Sequence, residues 1–431
     1  MLKKLFSKDE LYKHVFTLVK GTVLAQLISI LSQPVLRRVF TPEDFGIYAL
    51  YISVVSIFSV IATGRFEMTI VLPKCNEEAK KLFNLSIVIS FIVSLLLFLV
   101  LLFTSNSIVS NLINKNMVEV NSSIQLSWLK ASIFLLPLGI FLLSIYNTLN
   151  YFFIRHEKYN VIANTKITNT STNVGSSLGF GFLNFSFIGV ILGYLIGSIS
   201  GILFFIFYKR KYTEPVKLSS KGYWTLIKEY IDFPTKSMLS GLLNMLATQL
   251  PILFIGSLFG VAIVGFYELI IRVLNIPITM IGKSVSQVFF QKISNDVKNE
   301  NEIGSYVRSF SLKLFLFMLI PMTIIFFFGE SLFSIAFGSA YKVSGELASY
   351  FALFFLVRFV YYSQSTIYTV KRKLGIELKQ NTIYLLSQIC ALLIGYYYFQ
   401  DFKSTFILLA FGGFLCYLFF LISLIRLAGT K

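Results

Sequence analysis

Six basic side chains lie inside long apolar runs of the sequence: Lys20, Lys166, Lys236, Arg272, Lys283 and Arg358. Arg37 and Arg38 close the first of those runs, and Glu268 is the carboxylate found within one. A charge at the centre of a bilayer costs about 2.5–3.5 kcal/mol on insertion scales, so such a residue faces a cavity or a partner. Cations this numerous, with so little acid among them, suit an anionic ligand. Phosphate is the natural guess, because the guanidinium fork matches its oxygens with paired donors. Glu268 is the candidate for coupling to H+ or Na+. No other cofactor and no metal are expected.

Spacing sharpens the set. Arg272 and Lys283 are eleven residues apart, so on one unbroken helix they share a face about 16 Å apart. Lys20 and Arg38 are eighteen apart, or five turns. Glu268 and Arg272 stand at i and i+4. Plainer roles compete. Lys20, Lys166 and Lys236 lie near the ends of their runs and can snorkel to lipid headgroups. Arg37 and Arg38 can do so at the other surface, and Arg272 can simply pair with Glu268. Arg358 is mid-run without a sequence-local partner.

Membrane-spanning helices must position these residues. Of 431 residues, 56 % are apolar and 13 % charged, against roughly 45–50 % and ~25 % in soluble domains. That balance excludes a soluble enzyme, a disordered chain and a disulfide scaffold. Apolar segments near the ~20 residues a span requires fall at about 15–40, 45–63, 82–104, 125–149, 161–183 and 187–208. Six more fall at about 235–259, 261–290, 309–328, 347–370, 382–399 and 405–424. The expected fold is an all-α membrane protein with twelve transmembrane helices in two parallel six-helix halves. Its parts are a cytoplasmic segment 1–13, an N-terminal lobe 14–208, a cytoplasmic linker 209–232, a C-terminal lobe 233–427 and a tail 428–431.

Lys and Arg counts set the orientation. With the N-terminus cytoplasmic, 26 of the 38 basic residues fall in inside segments and 6 outside. Both termini are therefore expected in the cytoplasm. Most of the net charge of +18 is topogenic, which removes nucleic acid as its explanation. The halves also echo each other. Phe45-Gly46-Ile47-Tyr48 resembles Val264-Gly265-Phe266-Tyr267, and Lys20 with Lys236 and Pro34 with Pro251 repeat at nearly the same offset. Parallel repeats of this kind bind substrate between the halves in known transporters.

Other chemistry is thin. Three cysteines are far apart and two histidines lack partners at ligand spacing, so neither disulfides nor zinc are expected. The longest external loop, about 105–124, carries no catalytic cluster, and no carboxylate pair suits a glycosyltransferase. Enzyme activity is therefore not expected.

Several stretches carry a family resemblance. Leu36-Arg37-Arg38-Val39-Phe40-Thr41-Pro42-Glu43-Asp44-Phe45-Gly46-Ile47-Tyr48 resembles the first-loop signature of bacterial polysaccharide transporters. These are the O-antigen or capsule flippases of the Wzx type, in the multidrug/oligosaccharidyl-lipid/polysaccharide exporter superfamily. Arg65-Phe66-Glu67-Met68-Thr69-Ile70-Val71-Leu72-Pro73 looks like the stretch after their second span. Val264-Gly265-Phe266-Tyr267 through Pro277, then Ser286-Gln287-Val288-Phe289-Phe290, looks like their eighth. The resemblance implies movement of an undecaprenyl-diphosphate-linked oligosaccharide across the bacterial cytoplasmic (inner) membrane by alternating access, with cationic cavity residues on the diphosphate and acidic sugars. Expected partners are that lipid-linked anionic oligosaccharide and membrane lipids, with a polymerase and a chain-length regulator of the same pathway as candidates. A multidrug antiporter would want acidic cavity residues, and a lipid II flippase usually carries two extra spans.

Overall fold

The computed structural model describes residues 8–114, 117–118, 122–209, 222–298, 302–371 and 373–429. Every element among them is helical: α1 (Lys8–Leu31), α2 (Gln33–Val39), α3 (Pro42–Ala62), α4 (Phe66–Thr69), α5 (Asn76–Asn114), α6 (Ser123–Phe134), α7 (Leu136–Arg155), α8 (Tyr159–Phe182), α9 (Ser186–Lys209), α10 (Tyr223–Glu229), α11 (Met238–Phe259), α12 (Val261–Leu274), α13 (Lys283–Lys298), α14 (Gly304–Phe337), α15 (Lys342–Tyr362), α16 (Ile367–Val370), α17 (Leu374–Ile394) and α18 (Phe402–Gly429). Among the described residues nine helical stretches are long and apolar enough to cross a membrane, and ten when the bent pair around α11 counts as one. The protein is thus a multi-pass membrane protein. The count leaves out α1 and the polar helix α8, both of which the sequence reading takes as spans. Two compact units divide the chain, Met1–Leu253 and Phe254–Lys431. The division falls inside α11, whereas the sequence reading places a linker at 209–232, of which 210–221 lie outside the described residues.

Prolines explain most of the breaks, since each lacks the N–H its i−4 carbonyl needs. Pro251 withholds its bond from residue 247, and the chain bends by 45° between Phe233–Leu246 and Thr248–Phe259. Pro277 immediately precedes a π turn, Ile278–Gly282. Pro137 opens α7, where the Tyr51 hydroxyl donates to the Leu135 carbonyl at 2.9 Å. Pro34 follows a break at Ser32. There the Ser32 hydroxyl and the Gln33 amide both donate to the Ser29 carbonyl. Pro321 is accommodated within α14.

In the first unit, α8 packs against α1 and α9. Small residues permit this close approach. A Cβ at Gly197 of α9 would stand 2.7 Å from the Asn173 Cβ of α8. One at Gly21 of α1 would collide with Ala163 of α8. At the start of α3, Thr41 and Asp44 form a capping box at 3.3 and 2.9 Å, and Ser186 at the start of α9 donates to Asp44.

In the second unit, α15 is the central helix. Phe351, Phe354, Phe355 and Phe359 are almost fully buried along it, against α14 and α18. Gly329 of α14 faces Gly345 of α15 so closely that a Cβ at Gly329 would stand 2.6 Å from the Gly345 carbonyl oxygen.

Candidate functional site

A polar helix can sit among apolar ones only if its polar stripe faces protein or a water-filled space. On α8 that stripe is Lys166, Asn169, Thr170 and Asn173, spaced i, i+3, i+4 and i+7. On α1 it is Thr22, Gln26 and Ser29, with the same heptad spacing. Thr22, Gln26 and Ser29 meet Lys166, Asn169 and Thr170 in the first unit around a cavity of about 450 Å³, closed by Tyr146 of α7 and by Tyr194 and Ser198 of α9, while Asn173 packs against Gly197 of α9. Lys166 Nζ donates to Thr22 Oγ1 at 3.1 Å. Among the described residues the lining offers one ammonium group, two carboxamides, several hydroxyls and two tyrosine rings, and no carboxylate. Amide and hydroxyl groups match sugar hydroxyls, tyrosine gives an apolar body with a polar tip, and Lys166 can hold one anionic group.

Arg358 occupies a different setting, in the second unit. It is half-buried on α15, with its guanidinium carbon 5.3 Å from the Phe355 ring and 5.7 Å from those of Phe354 and Tyr417. Tyr267, Tyr384 and Tyr417 are its electrostatic neighbours. The Tyr384 and Tyr417 rings stand 5.2 Å apart. Among the described residues no carboxylate pairs with Arg358. Aromatic faces stabilise a cation by about 0.5–2 kcal/mol, which leaves its charge available to an anion.

The remaining sequence-predicted residues separate. Arg37 is only 2 % exposed; its Nε donates to Gln33 Oε1 at 3.4 Å and its guanidinium lies 3.5 Å from the Phe45 ring centroid. It ties α2 to the start of α3. Arg38, next to it, is exposed, as is Lys20. The five-turn phase between Lys20 and Arg38 fails because the helix is interrupted at Ser32. Arg272 pairs with Glu268 on α12, the plainer of its two roles. Lys283 is exposed at the start of α13. The wider π turn at Ile278–Gly282 lies between it and Arg272, so the eleven-residue register does not run through. Lys236 is 79 % exposed and bonds Asp232 at 2.8 Å.

Sequence reasoning missed Glu67, on the short α4 between the spans of α3 and α5. It is 4 % exposed, and among the described residues its Oε2 has no hydrogen-bond partner. Arg65, left-handed at φ 59°, approaches it to 3.9 Å and rests against Gly241 of α11. Burial pushes the Glu67 carboxyl above its ordinary range, opposed by Thr63 and Arg65. A raised carboxyl favours the protonated folded state, so it stabilises the fold at low pH and this contribution is lost as pH rises through the raised value. In detergent, the melting temperature should climb as pH falls from 8 to 5, and Glu67→Gln should flatten that climb. An unchanged pH profile would remove Glu67 as its source. The signal available was an acid two residues from an arginine within an apolar stretch.

The polysaccharide biosynthesis protein family matches residues 35–346. The teichuronic acid biosynthesis protein TuaB of Bacillus subtilis (strain 168) is 26 % identical over 133 residues, a stretch covering 29 % of this chain and 26 % of that relative. Among solved structures, the inward closed conformation of the lipid II flippase MurJ aligns with a TM-score of 0.68 at 16 % identity, covering 94 % of this chain and 87 % of that one. An inward-facing multidrug resistance MATE family transporter of the MOP superfamily aligns at 0.64 and 12 % identity, over 93 % and 94 %. The chain therefore shares the fold of these two transporters. With a match to nearly three quarters of its length, this chain belongs to the polysaccharide biosynthesis protein family.

Proposed function

We propose that the protein is a flippase that carries an undecaprenyl-diphosphate-linked oligosaccharide, a surface-polysaccharide repeat unit, across the bacterial cytoplasmic membrane by alternating access. The observation that carries this reading is the first-unit cavity. It is a hydroxyl- and amide-rich pocket with two tyrosines and one cation among its described lining residues. A cationic drug would call for acidic lining. An oligosaccharide with an acidic sugar or phosphate calls for this one. Membership in the polysaccharide biosynthesis family and the flippase-type fold of MurJ support the same assignment.

On this reading all twelve helical segments span, α8 included, because its polar stripe lines the cavity rather than lipid. Both termini are cytoplasmic, with the basic loops inside. The two six-helix halves are equivalent. Tyr48, on the second segment, packs 6.4 Å from Tyr194 on the sixth. Tyr267, on the eighth, packs 5.5 Å from Phe406 on the twelfth. The protein forms no bond in its substrate and is not an enzyme. Any driving ion is H+ or Na+.

The test is reconstitution of the full chain in vesicles holding a lipid-linked repeat unit in the inner leaflet. A membrane-impermeant glycosidase outside should release the sugar in proportion to protein content. Sugar release equal to that of protein-free vesicles would overturn the assignment. So would protein-dependent transport of a cationic dye in place of the oligosaccharide.

A further inference from the structure

Depth in the membrane can be read along α14 from its charges. Arg308 and Lys313 lie near its start and Glu330 near its end. The sixteen residues between, Leu314–Gly329, carry no charge and extend about 24 Å, close to the ~30 Å hydrocarbon thickness. The first turns of α14 therefore stand at headgroup depth. Beside them, between α14 and α18, is a groove of about 600 Å³ within the second unit. Its shallow end is formed by Ser305, Arg308 and Ser309, one helical face at i, i+3 and i+4. Its deeper wall is apolar: Leu312 and Phe315 from α14 and Leu421 from α18. Among the described residues the polar floor is limited to Ser311, which is engaged with Gln364 at 2.9 and 3.2 Å.

Arg308 is exposed, and among the described residues no carboxylate pairs with it or with Lys313. Glu302, the nearest acid before α14 in sequence, is itself exposed.

We propose that this groove is a binding site for a resident anionic diacyl phospholipid of the phosphatidylglycerol class. The depth order of the lining matches the depth order of the ligand. Arg308 meets the phosphate with paired donors, the Ser305 and Ser309 hydroxyls supply further donors, and Leu312, Phe315 and Leu421 take the upper acyl chain. Basic pockets between membrane helices at headgroup level hold anionic lipids in this way. A zwitterionic lipid brings a quaternary amine towards the Arg308 guanidinium and is disfavoured. A free phosphate cannot use the apolar wall. The site is independent of the first-unit cavity, and its test reads lipid retention rather than translocation.

The experiment is native mass spectrometry of the full chain in detergent, titrated with phosphatidylglycerol or phosphatidylcholine of identical chains. Phosphatidylglycerol should be retained selectively. Arg308→Ala should weaken it by about tenfold, the loss of one charge-assisted contact, while leaving the melting temperature without lipid unchanged. Leu312→Glu should weaken it to a similar extent by charging the acyl wall. Equal retention of both lipids would overturn the proposal, as would unaltered binding in both variants. Displacement by millimolar inorganic phosphate would reassign the groove to a free anion. Displacement by equimolar undecaprenyl phosphate would reassign it to the transported lipid.

Discussion

Arg358→Met is expected to raise the melting temperature of the purified protein while nearly abolishing oligosaccharide translocation. Arg358 is half-buried against Phe354, Phe355 and Tyr417, and no carboxylate among the described residues compensates it. Desolvating a cation costs several kcal/mol in real proteins, and replacing such a charge with a well-packed apolar residue is often stabilising. Methionine is unbranched and fills irregular space, so the aromatic surroundings can close on it. An increase of about 1 °C follows from a gain near 1 kcal/mol in a chain of this length. If the fold tolerates that charge because an anionic substrate needs it, transport should fall by about a hundredfold, the removal of a charged contact worth close to 3 kcal/mol. Opposite changes in stability and activity mark a functional residue held at the expense of the fold. Arg358→Lys, which retains charge without the planar fork, should lose about tenfold. A melting temperature that drops in step with transport would mean that Arg358 only holds its rings together.

How far the site was legible from sequence depends on what kind of signal each residue leaves. The all-helical, multi-pass character was readable because apolar runs of span length leave few alternatives in lipid, and nine or ten such stretches stand among the described residues. Helix α8 was readable too, although its four asparagines dilute the run. Breaks were visible as prolines, yet their consequences were not. Pro34 interrupts the chain at Ser32, which turns Arg37 inward onto Phe45 and leaves Arg38 outside. Pro277 is followed by a π turn that breaks the register between Arg272 and Lys283. Arguments from 3.6-residue spacing hold only along an unbroken helix. The cations were therefore found as a set but not sorted. Lys166 and Arg358 acquire polar or aromatic surroundings, Arg37 and Arg272 acquire local partners, and Lys20, Lys236 and Lys283 stay exposed. The stripes Thr22–Gln26–Ser29 and Lys166–Asn169–Thr170–Asn173 were present as heptad patterns of polar residues. A search confined to charge passes over them. Glu67 was hidden for a related reason: burial of a loop carboxylate is a property of tertiary packing, not of its neighbours in sequence.

Lys166→Met should change which repeat units are carried, not merely how fast. Among the described residues Lys166 is the single charged group lining the first-unit cavity, and the rest of that lining is neutral. Its ammonium is held by the Thr22 hydroxyl at 3.1 Å, so the charge has a fixed position on the cavity wall. If it reads a carboxylate or phosphate of the sugar, the contact contributes about 1.5–3 kcal/mol, or roughly ten- to a hundredfold in translocation. Loss on that scale should appear with an acidic repeat unit. The same oligosaccharide with its uronic carboxyl groups reduced to alcohols should be carried equally by the wild type and by Lys166→Met, because the neutral amides and hydroxyls remain. Comparing protein charge with substrate charge forms a double-mutant cycle, which removes effects of the substitution on packing. Lys166→Arg should recover much of the acidic transport, since the guanidinium keeps the charge. An equal decrease for both substrates would show that Lys166 supports the wall through Thr22 rather than reading the sugar. A preference that survives Lys166→Met would place charge recognition elsewhere, with Arg358 the first residue to combine with it in the cycle.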